Sequence, residues 1–325
     1  MRPIRFLFLG VFVALFASLT SAQTPAPAAT PLPFALKPLG HNIYAAIDDA
    51  KGDAGANAGF VIGDNGVLVI DTFENEAAAK LLLAEIRKLT PLPIKFVVNT
   101  HYHLDHVAGN KVFRDAGAVI IAQQNVPAWI HTENLKFFGD KIKPEEKFMV
   151  ENLAVPDLVY SESLALSLGN TTASINFFPG HTGGDSVVTI HDPNGIVVFC
   201  GDLFWHQTLP NLIDASTEPW ARTLSSLAEI KSGPHGRFVP GHGDLGTGED
   251  VLAFRAYLLD LRAMVAEAIK EGKTGDDLVN ALLPKLKEKY GSWNFFPYFA
   301  KSNLTDTAAE LRGEKKIPQA RRPFL

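Results

Sequence analysis

"NTHYHLDHVAG", Asn99 to Gly109, packs three histidines and an aspartate into eleven residues of a chain that has ten histidines in 325. At that usage a chance match to His-x-His-x-Asp-His is of the order of one in a thousand or rarer. His101 and His103 are two apart, so in extended chain they face the same way. Asp105 and His106 lie just beyond, where the chain must turn into a helix read from "VAGNKVFRDAG" and closed by Gly117. Before them, "IKFVVN" is a short, nearly all-apolar strand. The cluster therefore sits at a strand end, where a rigid scaffold holds functional groups.

Working outward, other strands end in the same kind of residue. "FFPGHTGGDS" gives His181, "VVFCGD" gives Asp202 and "FVPGHGD" gives His242. With the first four these make seven nitrogen and oxygen donors of metal-ligand type. Imidazole and carboxylate suit zinc, and also iron or manganese. Three protein ligands and an open position make one catalytic zinc site. Seven are too many for that, but fit two metals about 3.5–4 Å apart that share a carboxylate. His41, His131, His191, His206 and His235 read as surface or structural, with His206 worth watching because it follows Asp202 closely. Cys200, the single cysteine, lies in an apolar strand and reads as an inert core thiol.

The rest of the mature chain supports a layered α/β fold in two similar halves. "HNIYAAIDD" and "GFVIGDNGVLVIDT" read as strands, the latter a hairpin turning at Gly63–Gly66. "ENEAAAKLLLAEIRKL" repeats apolar residues at three- and four-residue steps, as an amphipathic helix does. "AVIIA" is a further strand. The second half repeats the scheme, with strands in "LALSLGNTTASINFFPG" and "GDSVVTIHDPNGIVVFCGD", the helix "TEPWARTLSSLAEIKSG" and the strand "RFVPGHGD". From Gly248 the pattern is helical. Hydrophobic content of 46% and charged content of 20% are those of a globular protein with a sizeable core. The net charge of −5 gives no field favouring nucleic acid or an anionic membrane.

The N-terminus reads as an address. Arg2 and Arg5 precede "FLFLGVFVALFASL", and "TSA" offers cleavage after Ala22. That is a secretory signal peptide over 1–22, its apolar run too short to span a bilayer comfortably. "QTPAPAATPLP" opens a Pro/Ala-rich tether over 23–35. The expectation is a secreted or periplasmic protein with no stable membrane insertion after cleavage. The main domain is then expected over 36–247, with a C-terminal helical extension over 248–325 packed on it.

The ordered set His-x-His-x-Asp-His, Gly-His-Thr, Gly-Asp and Gly-His, spread over roughly residues 40 to 245, resembles the metallo-β-lactamase superfamily. The resemblance implies an αββα sandwich of two packed mixed sheets with helices on the outer faces and metals at one edge. It implies site one as His101, His103 and His181, site two as Asp105, His106 and His242, and Asp202 as the bridge. Asp71, ending "VLVID", matches the superfamily's buried acid and would support the histidine loop. Two Zn²⁺ are expected, with Fe or Mn as alternatives. The function this implies is exported, zinc-dependent hydrolysis of an ester, thioester, lactone or lactam by metal-bound hydroxide, with Asp105 orienting it and carrying its proton. A true β-lactamase is one alternative. Trp205 weighs against it, because one β-lactamase subclass has a lysine at that place. An iron-dependent sulfur dioxygenase-like enzyme is another alternative. The partner is a small-molecule substrate rather than nucleic acid, and monomer and homodimer both stay open. Trp129, Phe204 and Trp205, with Phe137 and Phe138, are candidates for an apolar substrate wall.

Overall fold

The hairpin "GDNG" and the helix behind it start the first sheet. Gly63 N donates to Gly66 O at 3.0 Å, and β3 (Ala58–Ile62) turns into β4 (Val67–Ile70) after β1 (Phe34–Gly40) and β2 (Ile43–Asp48). The computed structural model describes residues 31–49, 51–193, 195–230 and 237–318, with the side chain of Asp192 left aside. The described residues from Leu32 onward form one compact unit. The expected signal peptide, most of the expected tether and His235 lie outside the described residues. β1 begins at Phe34, inside the tail of the stretch that composition assigns to the tether. Phe34 is buried and its ring stacks on Phe73, an anchoring that a Pro/Ala-rich composition hides.

The helix α1 (Glu76–Leu89) opens on Asn75, whose side chain accepts from Ala78 N. Capping satisfies one orphan donor of the first turn. Ala78, Ala79, Leu82 and Ile86 form its buried stripe. It returns the chain to β5 (Ile94–Val98), which pairs parallel to β4. α2 (Leu104–Val107) and α3 (Asn110–Asp115) lead to β6 (Val119–Gln123). Then α4 (Val126–Trp129), α5 (Thr132–Phe138) and α6 (Pro144–Glu151) lead to β7 (Leu158–Tyr160). The seven strands lie in sequence order, antiparallel from β1 to β4 and parallel from β4 to β7. The helical crossovers are what parallel neighbours require.

The second sheet has the order β12-β11-β10-β9-β8. Its strands are β8 (Ser163–Ser167), β9 (Thr172–Phe177), β10 (Ser186–Asp192), β11 (Gly195–Trp205) and β12 (Phe238–His242), with α7 (Thr217–Ala228) before the last. α8 (Gly248–Lys270), α9 (Gly275–Tyr290) and α10 (Phe296–Leu311) follow.

Three apolar layers make this an αββα sandwich. Val61, Leu68, Val98 and Ile121 of the first sheet meet Ile175, Val188, Val197 and Val239 of the second. Ala78, Leu82 and Phe113 cover the first sheet's outer face. Trp220, Phe254, Tyr257 and Leu304 cover the second sheet with Cys200 and Phe204. The helices after Gly248 therefore supply part of the core. Among the described residues no helix is long and apolar enough to cross a membrane.

Candidate metal centre

The residues singled out by spacing converge at one edge between the sheets. His101 and His103 lie beyond the end of β5, and Asp105 and His106 are on α2. His181 comes from the β9–β10 loop and His242 ends β12. Asp202 corrects the sequence reading: its strand does not end there but runs on to Trp205. The pairing of β11 with β12 slips on both sides of Gly201, whose φ is +50°. Such irregularities re-aim a side chain, here into the gap between the sheets.

The seven side chains form two clusters. In one, His101, His103, His181 and Asp202 bring one ligand-type atom each to within 4.8 Å of the others; Asp105, His106 and His242 do the same in the second. Asp202 faces both. Its Oδ2 is 3.2 Å from His181 Nε2 and 3.7 Å from His101 Nε2. Its Oδ1 is 3.0 Å from His106 Nε2 and 3.5 Å from His242 Nε2. Asp105 Oδ2 is 3.1 Å from His242 Nε2 and 3.6 Å from His106 Nε2. The fit to Asp202 is close: a Cβ on Gly241 would fall 1.8 Å from its Oδ1.

These residues fit divalent metals. His101 Nε2, His106 Nε2, His242 Nε2 and Asp202 Oδ1 are buried and make no hydrogen bond within the protein. Buried polar atoms are normally satisfied, and four such atoms aimed at one another form a donor set that a cation would satisfy. The charges argue the same way. Burial works to lower His106 and His242, but Asp202 and Asp105 overcome it, holding His106 well above its usual range and His242 up to about 9. His101 and His181 have too little of that support and are pushed down, mainly by burial, His181 to about 3. Buried carboxylates need a cation beside them.

The tautomers are set from behind. Asp71 Oδ2 accepts from His106 Nδ1 at 2.9 Å, and its two oxygens accept Thr100 N and Thr100 Oγ1, each at 2.7 Å. Thr100 Oγ1 lies 3.1 Å from His101 Nδ1. With its O–H donated to Asp71, the hydroxyl oxygen accepts from that ring nitrogen. One buried carboxylate thus leaves the Nε2 lone pairs of His106 and His101 free to coordinate. Asp71 has φ of +57°, a conformation aspartate tolerates better than most residues.

His103 is held differently, by Asp214, which the sequence did not flag. His103 Nε2 is 3.4 Å from Asp214 Oδ2, so Nδ1 faces the centre, 2.9 Å from His181 Nε2. Tyr102 Oη donates to Asp214 Oδ2 at 2.8 Å and Lys136 Nζ to Oδ1 at 2.9 Å. Burial works to raise Asp214, but His103 and Lys136 overcome it and hold the carboxyl below the usual range. Asp214 carries no motif; only the fold brings it to His103.

A cavity of about 230 Å³ opens on the centre. His103, Asp105, Asp202 and His242 form its floor, and Glu74, Asn134, Phe137, Phe138, Trp205, Phe295 and Phe299 are among its walls. Trp205 stacks on His242 at 4.0 Å between centroids. Trp129 and Phe204, expected in that wall, are not there. Trp129 is buried among Val126, Ile130 and Tyr102, and Phe204 packs with Phe254 in the core beneath the helices. Alternation explains Phe204, since neighbours on a strand face opposite sides and Trp205 takes the cavity side. His206 stands outside the centre, its Nδ1 2.9 Å from Asp244 O. Cys200 is buried away from both clusters and burial raises its thiol.

Comparison with known proteins agrees with this geometry. The family model described as "Metallo-beta-lactamase superfamily" matches residues 52–242. A linear primary-alkylsulfatase of Pseudomonas sp. (strain ATCC 19151) is 23% identical over 274 residues, covering 70% of this chain and 51% of the relative. A hydroxyacylglutathione hydrolase of Francisella tularensis subsp. novicida (strain U112) is 24% identical over 211 residues, 63% of this chain and 71% of the relative. The chain thus spans about half the length of the alkylsulfatase. Among solved structures, a metallo-beta-lactamase from Pontibacter korlensis superposes with a TM-score of 0.56 at 19% identity, covering 70% of this chain and 99% of that one.

Proposed function

The chain belongs to the metallo-beta-lactamase superfamily, and from that premise we propose that it is an exported, binuclear zinc hydrolase of a small carbonyl substrate. The observation that carries this reading is Asp202, whose two oxygens each face a separate histidine cluster. His101, His103 and His181 would hold one metal, Asp105, His106 and His242 the other, and Asp202 both. Histidine and carboxylate donors suit zinc, and two complete clusters favour a metal pair over a single iron.

When bound, two such metals polarise a carbonyl and supply hydroxide near neutral pH. The chain's own contribution is orientation and proton handling. Asp71 and Thr100 fix the rings of His106 and His101. Asp105 lines the cavity and keeps 27% of its side chain exposed, which makes it the carboxylate placed to take a proton from attacking water. The aromatic walls exclude bulk water from the floor. Cys200, buried with a raised thiol pKa, offers no nucleophile. Export is supported by the charged start and apolar run before Ala22; fractionation of expressing cells checks it.

The test is turnover by the chain from Gln23, loaded with zinc, on a chromogenic cephalosporin, a thioester, a lactone and an aryl ester. About two metals per chain by mass spectrometry, and turnover lost to a chelator and restored by zinc, are expected. Two bound metals with no turnover across that panel would sink the hydrolase reading.

A further inference from the structure

The cavity walls are uneven in charge and in origin. The acids lining it are Glu74, Asp105, Glu133, Asp202 and Asp214, and no Lys or Arg among the described residues lines it. Asp105 and Asp202 belong to the metal clusters. Asp214 and Glu133 share Lys136, at 2.9 and 3.3 Å, so that cation is engaged by two carboxylates. Away from the metals that the floor would hold, an anionic group of a substrate would lie against an acidic and apolar wall with no side-chain cation built to receive it, a costly placement.

The apolar surface beside the floor comes from the C-terminal segment. Phe295 lies 5.8 Å from His242 and 6.3 Å from Trp205, and Phe299 lies 6.4 Å from Trp205, all between centroids. Phe295 has φ of +59°. A bulky residue in the left-handed region is strained and persists where its surroundings hold it. Here the strain turns the ring toward His242. Phe137 of α5 lines the same cavity.

We propose that Phe295 and Phe299 are specificity-determining residues, and that the substrate is an uncharged ester whose acyl group is apolar and lies against them. The proposal rests on the hydrolase reading and deepens it. A carboxylate on the acyl group is rejected for want of a partner, and each methylene buried against the rings raises kcat/KM by up to about fourfold.

The experiment compares 4-nitrophenyl acetate, hexanoate and the adipate monoester, in which a carboxylate replaces the terminal methyl of the hexanoyl chain, on the zinc-loaded chain. Hexanoate is expected to exceed both others in kcat/KM by at least about tenfold. In Phe299→Ala the hexanoate-to-acetate ratio falls at least about fivefold, and in Phe137→Ala, at a position 56% exposed and so safe for folding, it falls less. Ile213→Lys, which adds a cation at a position lining the cavity, raises the adipate-to-hexanoate ratio. Equal rates on hexanoate and adipate, or a chain-length ratio that Phe299→Ala does not move, would overturn the proposal and leave the hydrolase reading standing. Should no ester turn over, calorimetry on the zinc-loaded chain decides. Hexanamide binding at least about tenfold tighter than acetamide and adipamate, weakened in Phe299→Ala, upholds the cavity's selectivity without the hydrolase; binding of all three alike overturns it.

Discussion

The two clusters have similar ligands but different foundations. Behind the second, Asp71 sits between the sheets and bonds His106 directly at 2.9 Å, reaching His101 of the first only through Thr100. Behind the first, Asp214 lies at 3.4 Å from His103 and is shared with Tyr102 and Lys136. The loop that carries Asp214 is itself held by the C-terminal helices. Asn303 Nδ2 donates to Pro210 O at 3.0 Å, Leu209 N to Asn294 O at 2.9 Å, and Lys315 Nζ to the carbonyls of Leu212 and Ala215. The hydrogen-bonded support behind the second cluster thus comes from the sandwich alone, and that behind the first partly from the C-terminal segment laid over it. Similar ligand chemistry is held with different tolerance to damage.

The sharpest way to break that contrast is to remove what the clusters share. Asp202→Ala should lose both metals and cut kcat by about a thousandfold or more, the scale of several kcal/mol of charge stabilisation. Metal content by mass spectrometry alongside kinetics checks it, and retention of two metals would contradict the bridging role. Asp71→Asn keeps a residue that tolerates positive φ, but its amide can turn a donor toward His106. A loss near the upper end of about 10–100-fold in metal affinity is expected, with the second site emptying first in a chelator titration. Asp214→Asn should cost nearer tenfold on the same scale and empty the first site first. If both variants empty the same site, the two foundations are not separate. The smallest effect is expected at Asn303→Ala, which leaves Pro210 O and Tyr257 Oη without their donor. A cost of about 1–3 kcal/mol should appear as a lower Tm in calorimetry, with the first metal's affinity slipping and the second's unchanged.

What could be read beforehand follows the same divide between local and distant. His101, His103, Asp105 and His106 were legible because one short segment carries them, and the Gly-His and Gly-Asp turns gave the rest. The hairpin at Gly63–Gly66 and α1 were legible from turn chemistry and apolar spacing. Asp214 was not, because its meaning depends on a contact with His103 across 111 positions. Thr100 lies next to His101 in the chain, but a threonine before a histidine carries no signal until Asp71 is seen beside it. Nearness to the motifs picks out Phe137, Phe138 and Trp205 for the aromatic wall but also takes in Trp129 and Phe204. Phe295 and Phe299 lay too far along the chain to be considered. Aromatic residues announce burial, not which surface they bury.

The stretch that matches the superfamily ends at His242, whereas Phe295 and Phe299 reach the same cavity from beyond it. On the proposed reading, the earlier length carries the reactive centre, and the later one adds part of the wall that sets preference while also bracing the loop of Asp214. A change in the later length would then alter diet and metal support together.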